Sequence, residues 1–67
     1  MRLILRTGNP SQPGEIVSRT DDFSEPFLPD VGDIVADIHG RDATVTARRF
    51  TFHAGAPTVE GVELFIS

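Results

Sequence analysis

The sequence predicts an all-β fold, a small five-stranded β-barrel with irregular loops and at most one short helical turn. Three observations carry that reading. A proline-bearing turn, Leu28-Pro29-Asp30-Val31-Gly32-Asp33, runs directly into the β-branched pair Ile34-Val35. A tight Gly40-Arg41-Asp42 turn and a second β-rich run from Ala43 to Phe52 follow, which completes a strand–turn–strand signature. The inside–outside alternation then changes phase twice, and such changes mark the β-bulges that curl a short sheet.

The elements follow in order. Residues 1–7 form a strand in which Leu3, Ile4 and Leu5 sit between arginines. Residues 8–14 hold two prolines, two glycines, an asparagine and a serine and read as a loop. Residues 15–20 form a weaker strand on Ile16 and Val17. Residues 21–30 are irregular: Asp22 and Glu25 have capping-box spacing, but Pro26 limits any helix to about one turn. Phe23, Phe27 and Leu28 are expected to plug an open end of the core. From Val31 onward, Ile34, Ala36 and Ile38 share one strand face, and Val31, Asp33, Val35, Asp37 and His39 share the other. Ala43, Val45 and Ala47 point inward, whereas Phe50 and Phe52 stand on even positions. One extra residue, at Arg48 or Arg49, restores the phase. The same shift recurs between Val59 and the set Val62, Leu64 and Ile66, with Gly61 as the natural bulge residue. The loop at 53–57 joins the last two strands.

Size bounds what this chain does. Sixty-seven residues make one domain (1–67), and a chain of this size buries only about 60% of its unfolded surface. With no cysteine, neither disulfides nor thiolate metal sites stabilise it. The core is left to Leu, Ile, Val and five phenylalanines. An enzyme pocket of roughly 300 Å³ or more would consume much of that core, so binding on an outer surface is the easier use of the scaffold. No run approaches the ~18 apolar residues of a membrane span. The opening apolar run is too short for a signal peptide, and the expected location is cytoplasmic.

All six positive side chains are arginines, and the net charge is −4. Residues 21–37 carry Asp21, Asp22, Glu25, Asp30, Asp33 and Asp37 with no cation. An acidic balance argues against general nucleic-acid binding, which needs a basic face. The acidic stretch either faces a basic partner or serves solubility, with Asp30 and Asp33 shaping a turn.

The pattern Pro29-x-x-Gly32-Asp33-x-Val35, a glycine-bearing tight turn and a strand ending in aromatics together resemble the central hairpin of Src-homology-3-like small β-barrels, over about residues 28–66. Short bacterial and phage proteins of that type often open this way. The resemblance implies a small barrel. It does not carry peptide binding with it, because the proline-peptide-binding members line their groove with tyrosines and a tryptophan and this chain has neither. An oligonucleotide-binding barrel fits less well, since all five aromatics are phenylalanines in largely core-like phase.

Asp37, His39, Asp42 and His53 are the residues that raise a metal or acid–base site. Asp37 and His39 share a strand face, but a hydrolytic zinc site needs three protein ligands, and both histidines sit beside glycine-containing turns. No metal and no cofactor is expected. Residues 8–14 lack the lysine and following helix of a phosphate loop, and no serine stands in a nucleophile elbow, so no enzymatic activity is expected. Arg41, Arg48 and Arg49 are the candidate binding residues. If the two adjacent arginines occupy the bulge, they project together beside Arg41 as an anion site; otherwise they form salt bridges to Asp37, Asp42 or Glu63. The expected function is a non-enzymatic interaction module with a protein partner. The alternative is a nucleic-acid-associated regulator using the arginine patch. The last strand is expected at a sheet edge, where it offers a route to a homodimer.

Overall fold

The computed structural model describes residues 1–36, 40–55 and 58–67. They form five strands: β1 (Arg2–Asn9), β2 (Gln12–Thr20), β3 (Ile34–Ala36), β4 (Asp42–Phe52) and β5 (Val59–Ile66). The fold is all-β, with no helix among the described residues. One sheet runs in the order β2-β1-β5-β4-β3 and curls into a half-barrel. All pairs are antiparallel except β1–β5, which is parallel.

The first hairpin is longer than the sequence suggests. Residues 12–14, expected in a loop, continue β2, and Gly8 pairs with Pro13. The turn is small because the Asn9 side chain builds it: Oδ1 accepts from Ser11 N at 3.0 Å and Gln12 N at 2.9 Å, an Asx turn. Gly8 sits at φ +85°, and a Cβ there would collide with the Gln12 carbonyl. Pro13 is tolerated because β2 is an edge strand. A second turn, Asp30–Asp33, leads into β3. Asp33 N donates to Asp30 O at 3.0 Å, the Asp33 carboxylate accepts from Asp30 N at 2.8 Å, and Gly32 takes φ +97°. These two acidic residues therefore build the turn itself.

β5 is the centre of the sheet and not its edge, contrary to expectation. The reason lies in its composition. Val62, Leu64, Phe65 and Ile66 are all buried, so both faces of the strand need cover, and only a central position gives it. Leu3, Val45, Val62, Leu64 and Ile66 form the core cluster, with Leu5, Val35, Ala43 and Val59 packed against it. Phe23 and Leu28 close this cluster from the loop, as expected. Phe27 does not: it is 83% exposed.

Both predicted phase changes exist. The register shift beside Gly61 falls at Glu60, between the pairs Phe52↔Val59 and Thr51↔Gly61. The shift in β4 falls at Thr46, between Val45↔Ile66 and Ala47↔Phe65, two residues before the position expected at Arg48 or Arg49. Thr46 suits the place because its hydroxyl donates to Phe65 O at 3.2 Å. The bulge sends Ala47 to the face opposite Val45, so Ala47 does not point into the main core as expected. It also carries Phe50 to the face of Val62. Phe50 and Phe52 are nevertheless 40% and 58% exposed. β3 begins at Ile34, opposite Thr44, so the far half of β4 overhangs with β5 on one side and no strand among the described residues on its outer edge. No helix among the described residues is long and apolar enough to cross a membrane.

Candidate functional site

The three candidate arginines do not converge. Arg48 and Arg49 follow the bulge in regular alternation, with Arg48 opposite Leu64 and Arg49 opposite Glu63, so they leave β4 on opposite faces. Arg48 pairs with the Asp30 carboxylate at 3.1 Å and lies over the Phe50 ring at 5.4 Å from its centroid. Arg41 stands apart from both, at the mouth of a cleft formed with β1, β2 and β3. The arginine pair is thus spent on ion pairs, one of them with an expected partner, Glu63.

Arg49 belongs to a second assembly that the sequence did not announce. On the face of β5 away from the core cluster, the Glu63 carboxylate accepts from Arg6 Nη1 at 2.9 Å and from Arg49 Nε at 2.9 Å and Nη2 at 2.7 Å. Arg6 also donates to Gly14 O at 2.8 Å, which ties in β2. Beneath this network lies Phe65, fully buried, with the Arg49 guanidinium 5.6 Å from its ring centroid. Burial pushes the Glu63 carboxyl up, but the hydrogen bonds and charges of Arg49 and Arg6 outweigh it and hold the group below its ordinary range. The network joins four segments across one face, and its geometry is that of a clamp. The signal for it was available: Glu63 is the lone charge in Val62-Glu63-Leu64-Phe65-Ile66, a run too apolar for an edge.

The other feature lies at the seam of the half-barrel. β2 and β3, the two ends of the sheet, face each other without a joining ladder among the described residues. Between them is a cleft of about 270 Å³. Leu5, Val17, Val35, Ala43 and Ile66 make its walls, and Arg41 and Asp42 stand at its polar side. Val17 is half exposed there because the β1–β2 register slips beside it, between Leu5↔Ser18 and Arg6↔Ile16. This cleft escaped a strand-by-strand reading, since its walls come from five strands and no single run announces it.

Of the acid–base candidates, His53 is exposed just beyond β4, and its amide donates to Thr58 O at 3.0 Å. Asp42 pairs across the ladder with Ala36. Asp37 and His39 lie outside the described residues. No group of three potential metal ligands occurs among the described residues. The chain matches no family model, no curated protein and no solved structure.

Proposed function

We propose that this chain is a non-enzymatic interaction module that binds a partner protein at the seam between β2 and β3. The observation that carries the reading is the cleft itself: aliphatic walls, one cation and one carboxylate at the rim, and two strand edges flanking it. A strand edge offers unpaired backbone donors and acceptors, and an apolar groove beside it accepts alternate side chains. That combination is how extended segments add to a sheet. The volume lies at the small end for ligand pockets, which fits one or two side chains of a partner better than a substrate. The likeness of the β3–β4 hairpin to Src-homology-3-like barrels supports an interaction role by fold-level analogy only.

The test is a photo-crosslinking residue placed at Val17, at the cleft, and for comparison at Ser11, on the exposed hairpin tip. A discrete adduct with one protein from native cells at position 17, absent at position 11, is the expected result. Equal labelling at both positions, or none at position 17, would overturn the assignment.

A further inference from the structure

We infer that the overhanging half of β4 pairs antiparallel with the same segment of a second copy of this chain, about a two-fold axis through Phe50. Beyond Val45, which exchanges hydrogen bonds with Gly32 and Asp33, no described residue hydrogen-bonds to the outer edge of β4. Residues 47–52 therefore form an open strand edge, carrying two exposed phenylalanines on one face. This edge lies near the Val59 end of the half-barrel, whereas the seam cleft lies near Ile66. The two surfaces are separate, so this inference does not rest on the function proposed above.

Charge excludes some registers of a self-pairing, and an aromatic contact favours one of the rest. Like charges directly opposite destabilise a pair of strands, so self-pairings that set Arg48 against Arg49, or Arg49 against itself, are disfavoured. Pairing centred on Phe50 avoids both: Phe50 meets Phe50, Arg48 meets Phe52, and Arg49 meets Thr51. The Arg48–Phe52 match repeats across the interface a contact the chain already makes internally, where the same guanidinium lies over Phe50. The surface area argues in the same direction. The chain exposes 4645 Å², while a folded monomer of 7.3 kDa is expected to expose about 4,200 Å². A two-fold strand pair would cover part of that excess, and a two-fold contact closes on itself without propagating into fibres.

The experiment is sedimentation of the full chain, of Phe50→Lys, of Phe50→Glu and of an equimolar mixture of the two variants, with circular dichroism confirming that each is folded. The wild-type chain is expected to dimerise, and each variant to dissociate with affinity lowered more than about tenfold by like charges at the axis. The mixture should recover a dimer, because residue 50 of one copy meets residue 50 of the other. A wild-type chain that is monomeric at millimolar concentration would overturn the inference, as would variants that still dimerise alone. Two dissociated variants that fail to pair when mixed would overturn the register. Should a charged variant not fold, Phe50→Cys in this cysteine-free chain tests the same axis: a disulfide-linked dimer supports it, and the absence of one under mild oxidation refutes it.

Discussion

The two faces of β5 solve the same problem by different means. One face, carrying Val62, Leu64 and Ile66, is covered because the sheet curls and brings Leu3 and Val45 over it. The other carries Gly61, Glu63 and Phe65, and no second layer of strands lies over it among the described residues. There the cover comes from side chains. The guanidinium of Arg49 lies over the Phe65 ring, and the heads of Arg6 and Arg49 meet at Glu63. A chain too short for two layers thus completes its second face with an ion-pair roof over a single ring. Stability on the first face comes from aliphatic burial. On the second it depends on one carboxylate staying charged.

Truncating each face at its most buried residue should have the largest effects. Phe65→Ala removes the ring under the roof and is expected to cost about 3–5 kcal/mol, and Leu64→Ala about 2–5 kcal/mol. Native domains have only about 5–15 kcal/mol of stability, and a small one sits at the low end, so either variant should be largely unfolded in mild denaturant. Urea melts give the values. A loss below about 1 kcal/mol for Phe65→Ala would mean that the roofed face is not a second core.

Removing the carboxylate should have a smaller effect and tests what the roof contributes. Glu63→Gln leaves two arginines facing each other without their anion, and should cost about 1.5–3 kcal/mol, the range for hydrogen bonds to charged groups. The wild-type chain reports the same interaction through pH. Glu63 titrates below its ordinary value when folded. Its contribution is therefore fully present above the unfolded-state pKa near 4.3, and is lost as the pH falls through the lower folded-state value. Stability should fall in that acid range more steeply in the wild type than in Glu63→Gln. Equal slopes would show that the clamp contributes nothing measurable.

The difference between the faces also decides how much of the molecule was legible. The alternation of apolar residues within the strands and the two phase changes followed from local pattern, because pleating is a local property, whereas of the three apolar residues in the irregular 21–30 segment only Phe23 and Leu28 reached the core. The position of the β4 bulge did not. Alternation fixes only that a residue is extra between Val45 and Phe50, and it was the Thr46 hydroxyl, bonding to Phe65 O, that chose the place. The central position of β5 and the Arg6–Glu63–Arg49 network depend on β1 lying parallel to β5. That pairing joins residues some sixty positions apart in sequence, such as Leu3 and Val62; the apolar run around Glu63 marks β5 as an interior strand, but no local pattern names β1 as its neighbour or Arg6 as the partner of Glu63. The divergence of Arg48 and Arg49 follows from the same displaced bulge.

The smallest expected effect separates facing the core from being buried in it. Phe50 and Val62 are cross-strand partners on one face of the sheet, and periodicity alone assigns them the same role. Val62 is 2% exposed and Phe50 is 40% exposed, because β3 begins opposite Thr44 and does not flank Phe50. Phe50→Ala should therefore cost less than about 1 kcal/mol, mainly the contact with the Arg48 guanidinium, when measured at a concentration low enough to dissociate any dimer. Val62→Ala should exceed it, since the removed methyl groups leave a void against Leu3 and Leu64 that so thin a core cannot close. If Phe50→Ala proved the costlier of the two in the monomer, the far half of β4 would be part of the core after all. It would then not be free to pair with a second copy.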